Sequence, residues 1–558
     1  MNFLFIENFP TAYEPRSTQI EIIKEIESFL KSGYRNILVC APTGIGKSHV
    51  TITIAKSLGS SFILTGQKML QDQYTNDFSW VYPMKGKNNF PCMALYEDKK
   101  VKLDDGSNDE NLTCDKGTCS WKPKGSTKIE YCKFKPQQSQ FTVKQFKTEK
   151  ESVTSPKDMC YYYNQKFQAL HASHSVFNYS SFFQTKKYNS GIEDLLEKKC
   201  LIADESHEIE NELIRFIGYN IRKSYLDDVD WTYTPYDLED IDSVLKLVND
   251  LYIRYIEEVK AFEEYQSNSP KLAKFKRREE KLGSLIGDMG KDIKNFIVQP
   301  DNPDPSKTNV VSIKPLNIRN YVKDFFDFKT QLFLSATIEK KTFCNNMGFK
   351  EDDCAFLEIP KSPFPKENRA VQFLNIQKMN NRSTEEDWSK IYQRIDKIMK
   401  KHSNEKGLIL TSSIAQCEKI KKNVSPDSSK RLLSVYSEKG KKREEVLEKH
   451  KLMSSPTVLI SPSLWVGVDL KDDLSRFQIV AKTPYLSLSD KRIKIKMEAN
   501  HTWYRHETLM KLLQGFGRSV RHKDDKAITY VLDSSAEQLI KSMKNYVPKS
   551  YFDVLGLN

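Results

Sequence analysis

Short apolar runs recur along the 558 residues of this chain, and small or charged residues follow each run. Such runs lie at residues 36–40, 200–203, 332–334, 407–410 and 457–460. A continuous apolar run of this length is typical of a strand buried on both faces of a parallel sheet. The pattern therefore predicts an α/β fold built on parallel sheets.

Two longer stretches have helical spacing instead, with an apolar residue at every third or fourth position. Residues 266–275 separate them, and the loop at 300–308 follows. We predict an antiparallel pair of helices whose apolar stripes serve packing rather than cofactor binding. The two stripes are Val248, Leu251, Tyr255, Val259 and Phe262, and Leu282, Ile286, Met289, Ile293 and Phe296.

The string APTGIGKSHV, residues 41–50, joins the first apolar run to a segment able to form a helix. A strand, a glycine loop and a helix in this order form the P-loop context, in which backbone N–H groups hold phosphates. Ala41 replaces the first glycine of the usual pattern. We predict an ATP site formed by Thr43, Gly44, Gly46, Lys47 at the outer phosphates, and Ser48 at Mg²⁺.

The second apolar run ends in Asp204-Glu205-Ser206-His207. Adjacent carboxylates at the end of a strand suit metal-assisted phosphoryl transfer: Asp204 would hold Mg²⁺ through its water shell, and Glu205 would activate the attacking water. By itself this string is more often a solvated turn or the start of a helix. Behind a P-loop it predicts an ATPase.

Three later strings extend the pattern: LFLSATI at 332–338, SPSLWVGVDL at 461–470 and QGFGRSVR at 514–521. The second contains Gly467 and Asp469, and the third contains Gln514, Arg518 and Arg521. On a helix the two arginines would share one face and could reach a phosphate held by a neighbouring domain. The alternative is a basic helix face in solvent.

Charge and cysteine content narrow the class of protein. The net charge of +13, from 87 Lys and Arg against 74 Asp and Glu, hints at a polyanionic partner. Since we find neither an export signal nor 18 consecutive apolar residues, we expect a soluble intracellular protein without membrane contact.

Five of the ten cysteines fall between 92 and 160, which suggests a metal site. Zinc and free buried thiols are two interpretations of these cysteines, although no Cys-x-x-Cys knuckle supports zinc.

These strings in this order, together with Tyr13, Arg16 and Gln19 upstream, resemble the superfamily 2 DNA helicases of the XPD/DinG branch, which are DEAH-type and carry an iron–sulfur cluster. The connector IPKSPFPKENR at 359–369 is similar to the family's junction between motor domains. Ser206 departs from the alanine that many relatives carry. The length would suit a compact phage or viral member, or a small cellular one.

The resemblance implies two RecA-like motor domains with ATP between them, and an ATP-dependent DNA helicase with 5'-to-3' polarity that acts on single-stranded and duplex DNA. It also implies nucleotide contacts from Gln19, Gly467 and Asp469. A remodelling ATPase that does not unwind, and an RNA helicase, are the alternatives. We expect a monomer in the cytoplasm of a prokaryote or an infected host, or in the nucleus of a eukaryote; the sequence names no protein partner.

In the family an insertion in the first motor domain holds a 4Fe–4S cluster. The resemblance assigns Cys92, Cys119, Cys132 and Cys160 as ligands, whereas relatives often lack a cysteine at the position of Cys114. The implied domains are the first motor domain at 1–84, 176–210 and 323–360, the cluster insertion at 85–175, a helical arch at 211–322 and the second motor domain at 361–558.

Overall fold

The fold of this computed structural model rests on two parallel sheets, one in each half of the chain. In the part of the chain that the structure describes, they have seven and six strands. We call the two halves the first and second lobes. The described residues are 4–66, 68–97, 112–122, 125–145, 151–188, 193–265, 269–435, 440–465 and 470–557.

The sheet of the first lobe brings the predicted motifs to one edge. Asn36–Cys40, Thr330–Ser335 and Cys200–Asp204 are neighbours and run parallel, so the three segments that follow them emerge side by side. All three strands are fully buried, and all three were predicted from their apolar runs. The strands in spatial order are Cys354–Glu358, Asn36–Cys40, Thr330–Ser335, Cys200–Asp204, Ser61–Thr65, His174–Asn178 and Tyr82–Met84.

The sheet of the second lobe is also parallel, and its central strands include two that the sequence predicts, Gly407–Leu410 and Val458–Ser461. The predicted α/β class with two RecA-like parallel sheets is therefore confirmed. The strands in spatial order are Val371–Gln377, Ile528–Asp533, Phe477–Val480, Gly407–Leu410, Val458–Ser461 and Leu432–Ser434.

Helices cover both sheets. Those of the first lobe and its insertions are Ser17–Lys31, Lys47–Leu58, Lys68–Asp77, Met93–Glu97, Tyr161–His171, Tyr179–Lys187, Ile209–Ile217, Lys223–Asp227, Ile241–Tyr265, Pro270–Lys291, Arg319–Phe325 and Lys340–Met347. Those of the second lobe are Glu385–Lys401, Ile414–Asn423, Pro426–Arg431, Gly440–Leu452, Lys491–Ala499, His501–Phe516, Ser534–Ser542 and Phe552–Leu555.

The predicted helical hairpin is present as Ile241–Tyr265 and Pro270–Lys291. Its second helix is shorter than the apolar stripe suggests, because Ile293 lies in a separate 3-10 turn and Phe296 begins a strand. The extension of the stripe to Phe296 was therefore wrong: these two side chains join the core from a turn and a strand. That strand, Phe296–Pro300, pairs with Val310–Pro315, which pairs with Tyr219–Arg222.

The cysteine-bearing insertion has little regular structure in its described part. It contains the helices Met93–Glu97 and Tyr161–His171, and two small antiparallel ribbons, Ser120–Trp121 with Glu130–Tyr131 and Thr142–Gln145 with Glu151–Thr154. It touches the helical hairpin. The Thr118 hydroxyl donates to the Ser269 carbonyl at 3.2 Å, and Lys276 Nζ donates to the Ser120 carbonyl at 2.6 Å.

Candidate ATPase site and cysteine cluster

The P-loop has a backbone that only glycine fits at two positions. Gly44 and Gly46 both have φ of +82°, in the left-handed region. A Cβ on Gly44 would lie 1.9 Å from the ring of Phe364, and one on Gly46 would lie 2.3 Å from Gln19 Nε2. Side chains thus pack directly against the loop that would cradle phosphates.

Two upstream residues hold this loop in place. Arg16 Nη1 donates to the Gly44 carbonyl at 2.8 Å, and Gln19 Nε2 donates to the Gly46 carbonyl at 3.3 Å. Lys47 Nζ donates to the Ala41 carbonyl at 3.2 Å, so its ammonium lies over the loop. The structure therefore brings Arg16, Gln19 and Lys47 together around the predicted phosphate site.

The two carboxylates at the end of the strand Cys200–Asp204 lie in different environments. Tyr74 Oη donates to Asp204 Oδ2 at 3.2 Å, and the Glu205 backbone N–H donates to Oδ1 at 3.0 Å. Burial, reinforced by the charge of Glu205, raises the pKa of Asp204 to about 6. Tyr74 had not been identified from the sequence, since no motif or spacing marks it.

Glu205 has a left-handed backbone with φ of +53°, a conformation that costs energy for a residue with a side chain. Burial by itself would raise the pKa of Glu205, but the positive charges around it, led by Lys47 and followed by His207 and Arg518, outweigh burial and lower it. Glu205 is thus held as an anion among cations from both lobes. Such a carboxylate can accept a proton from water.

A chain of hydrogen bonds runs from His207, which follows these carboxylates, through Ser335 and Thr337 to the second lobe. His207 Nδ1 lies 2.9 Å from Ser335 Oγ, at the end of the strand Thr330–Ser335. Two residues later, Thr337 Oγ1 accepts a hydrogen bond from Gln514 Nε2 at 2.9 Å. Gln514 belongs to the second lobe, so this contact crosses the cleft between the lobes.

The predicted arginines reach the same cleft, although not from a helix. The helix His501–Phe516 ends before Arg518, so the prediction that Arg518 and Arg521 share a helix face is wrong. The side-chain amide of Gln478 donates hydrogen bonds to the last two carbonyls of this helix, and Gly517 comes next in the chain. These two features end the helix. Both arginine charges still lower the pKa of Glu205. The predicted residues Gly467 and Asp469 lie outside the described residues.

Three of the five cysteines of the insertion lie in one buried cluster, and the other two are joined by a backbone hydrogen bond. Cys114 Sγ lies 3.8 Å from Cys160 Sγ, and both are buried with Cys92 and Leu95. The backbone N–H of Cys132 donates to the Cys119 carbonyl at 3.2 Å. All ten cysteines of the chain are free thiols.

Two of these thiols have the pKa shift that favours metal binding. Hydrogen bonding with Cys114 lowers the pKa of the Cys92 and Cys160 thiols, which favours the thiolate form that binds metal, whereas burial raises the pKa of the Cys132 thiol. Four of these five sulfur atoms would suffice for an iron–sulfur cluster or for zinc. The structure places the predicted ligands Cys92 and Cys160 beside Cys114, and the predicted ligands Cys119 and Cys132 beside each other.

Family models match three parts of the chain. The helicase C-terminal domain matches residues 395–552, DEAD_2 matches residues 75–226, and the res subunit of type III restriction enzymes matches residues 12–118. The curated ATP-dependent DNA helicase YoaA of Haemophilus influenzae is 21% identical over an alignment of 629 residues. That alignment covers 96% of this chain and 94% of YoaA.

Solved structures of XPD proteins have the same fold. One XPD helicase superposes with a TM-score of 0.64 at 14% identity, and covers 98% of this chain and 99% of its own. An XPD protein of S. tokodaii superposes with a TM-score of 0.56 at 14% identity, with 97% and 98% covered.

Within the described ranges, no helix is long and apolar enough to span a membrane.

The motifs, the matched family models and the XPD-like fold all indicate the same kind of protein. Together they support a superfamily 2 helicase similar to the XPD/DinG branch.

Proposed function

We propose that this protein hydrolyses ATP to move 5'-to-3' along a single DNA strand and to unwind the duplex ahead of it. The observation that supports the proposal most directly is the 2.9 Å hydrogen bond from Gln514 to Thr337. This bond joins the two lobes across the cleft in which the predicted ATPase residues lie. A nucleotide bound there would hold the lobes together, and hydrolysis would release them.

In the proposed site, the backbone at Thr43, Gly44 and Gly46 cradles the phosphates and Lys47 contacts the outer ones. Ser48 and Asp204 would hold Mg²⁺, which neutralises phosphate charge when bound. Further nucleotide contacts are proposed for Gln19, Gly467 and Asp469.

Glu205 is the proposed general base. It takes a proton from water as the water oxygen bonds to the γ-phosphorus, and the bond from that phosphorus to the bridging oxygen of ADP breaks. Arg518 and Arg521 stabilise the charge that develops on the transferred group. The anionic state of Glu205 among cations of both lobes suits this role.

For the insertion we propose a 4Fe–4S cluster on Cys92, Cys119, Cys132 and Cys160. The insertion's described core consists of only a few buried side chains, three of them cysteines. A cluster would bind the irregular segments together, as structural metals do in small domains. We assign it a structural role within the predicted segment 85–175.

A groove between the helical hairpin and the first lobe supports single-strand binding. Its volume is 620 Å³, and its lining includes Arg215, Arg277 and Lys281 beside Tyr188, Phe216 and Tyr225. Cationic side chains can follow a phosphate backbone while aromatic rings stack on bases. The insertion contacts the same helical hairpin through Thr118 and Ser120.

The proposal is tested by ATP hydrolysis with single-stranded DNA, with RNA of the same sequence and with neither. We expect DNA to stimulate hydrolysis most strongly. Equal or greater stimulation by RNA would contradict the DNA assignment. Stimulation by DNA without strand displacement would instead support a remodelling ATPase.

A further inference from the structure

A buried carboxylate lies behind the arginine-bearing turn at residues 517–521. Asp525 is fully buried, and its Oδ2 accepts a hydrogen bond from the backbone N–H of Arg521 at 3.0 Å. Its Oδ1 accepts from the backbone N–H of Asp472 at 3.1 Å and from Arg476 Nη1 at 3.0 Å. Asp525 therefore ties the end of the turn to the segment 472–476.

The same neighbourhood resembles a cation site in composition only. Ligand atoms of Asp472, His522 and Asp525 lie within 4.8 Å of one another. However, His522 Nε2 lies 2.7 Å from Asp472 Oδ1, and both oxygens of Asp525 already accept hydrogen bonds. These groups satisfy one another as a hydrogen-bond network.

The beginning of the turn is fixed by a second buried side chain, the amide of Gln478. Its Nε2 donates to the carbonyls of Gly515 at 3.1 Å and Phe516 at 3.3 Å. Its Oε1 accepts from Ser519 Oγ at 3.1 Å. The Gly515 carbonyl also accepts from the Arg518 backbone N–H at 3.3 Å. The amide adds a side-chain partner to both carbonyls of this buried helix end, so it helps to end the helix and anchors the turn that comes after it.

We propose that Asp525 and Gln478 are positioning residues for hydrolysis: they clamp the turn at both ends so that Arg518 and Arg521 are aimed at the transferred phosphate. The inference rests on the proposed function, in which these arginines contact that phosphate. Arg518 is itself nearly buried and donates from Nε to the Gln514 carbonyl at 3.1 Å. A turn held this firmly can place guanidinium groups without reorganisation during the reaction.

The test compares Asp525→Asn with Asp473→Asn. Asp525→Asn keeps the shape but turns an acceptor into a donor that faces a backbone N–H. Asp473 is the matched control, since its exposed carboxylate pairs with the same Arg476 and does not touch the turn. We expect Asp525→Asn to lower kcat for DNA-stimulated ATP hydrolysis by about 10- to 100-fold, the scale of a small misplacement of catalytic groups. The KM for ATP should change less than about twofold, and Asp473→Asn should match wild type.

A double-mutant cycle with Arg521→Lys separates positioning from general stability. If Asp525 acts through Arg521, Asp525→Asn should lower kcat much less in the Arg521→Lys background. An equal loss in both backgrounds, or an unchanged kcat in the single variant, would overturn the inference. If Arg521→Lys alone leaves kcat unchanged, the proposed role of Arg521 fails instead, so the two failures are distinguishable.

A second variant covers the case in which Asp525→Asn does not fold. Ser519→Ala removes the hydrogen bonds of its hydroxyl with Gln478 Oε1 and with Ser475 Oγ, and leaves the ion pairs intact. We expect kcat to fall by about two- to tenfold, the effect of losing one or two hydrogen bonds, with an unchanged KM for ATP. An unchanged kcat for Ser519→Ala would count against the role of Gln478.

Discussion

Functional side chains are held in different ways in the cleft between the lobes and in the cysteine-bearing insertion. In the cleft, the carboxylates and the P-loop follow fully buried strands, and partners such as Tyr74 and Gln19 fix them further. In the described part of the insertion, the buried cluster around Cys92, Cys114 and Cys160 contains one other buried residue, Leu95. The cleft is therefore organised by the sheet, whereas in our proposal the insertion is organised by the group that its thiols bind.

The largest effect is expected at the centre of the cleft, from Lys47→Ala. Losing the ammonium at the outer phosphates should lower kcat for ATP hydrolysis on the order of 1,000-fold. Lys56→Ala, at the other end of the same helix, is the control. Hydrolysis assays on both variants measure this, and near-normal activity in Lys47→Ala would show that the ATPase site is misassigned.

A substitution in the insertion should affect strand displacement more than ATP hydrolysis, and Cys160→Ser tests this. Removing one thiolate should release iron, make the insertion sensitive to proteolysis and abolish strand displacement, because metal binding and local folding are coupled. Most ATP hydrolysis should survive, since the cleft has its own core. Cys417→Ser, a buried thiol of the second lobe, is the control. Loss of hydrolysis equal to that of displacement would contradict the independence of the two regions.

Iron content also tests whether Cys119 or Cys114 is a cluster ligand. Cys119→Ser should lose iron as Cys160→Ser does, whereas Cys114→Ser should keep it. Iron content per protein chain, with zinc measured in parallel, decides the matter. Retention of iron in Cys119→Ser with loss in Cys114→Ser would exchange the two residues in the proposed ligand set.

A smaller effect is expected where the lobes touch, from Thr337→Val. This variant removes the acceptor of the hydrogen bond from Gln514 and keeps the size of the side chain. One hydrogen bond contributes about 0.5–1.5 kcal/mol, so DNA-stimulated kcat should fall by about two- to tenfold. Thr53→Val removes a hydroxyl that bonds only within its own helix, and its kcat should remain at the wild-type level.

The smallest effect is expected where the insertion meets the hairpin. Lys276→Gln weakens the hydrogen bond to the Ser120 carbonyl and removes the ion pair with Glu263, whereas Lys291→Gln, on the same helix, removes an ion pair with Asp324 away from the groove. Because one partly exposed contact contributes little, we expect DNA dissociation to accelerate by about two- to threefold in Lys276→Gln alone. Equal DNA dissociation rates in both variants would show that the contact between the insertion and the hairpin does not help to retain DNA.

The sequence predicted the elements that local patterns encode. Apolar runs located Asn36–Cys40 and Cys200–Asp204, and the strings after them marked the P-loop and the carboxylates. It could not show that the helix before Arg518 ends at Phe516, because the amide that ends it comes from Gln478 on a separate strand.

Other residues escaped prediction for the same reason. Tyr74 and Asp525 act through contacts with residues distant in the sequence, and no local spacing signals such contacts. The crowding of five cysteines between 92 and 160 predicted a metal site, and the structure places Cys92, Cys114 and Cys160 together. The choice of four ligands among five sulfur atoms depends on the bound group, which residue spacing does not encode.

The most direct test of the account is strand displacement by anaerobically purified protein, with ATP and Mg²⁺, on duplexes that carry a 5' or a 3' single-stranded tail. The account predicts displacement from the 5' tail only, and none by Lys47→Ala. Displacement from the 3' tail would contradict the proposed polarity, and none from either tail despite DNA-stimulated hydrolysis would contradict the helicase itself.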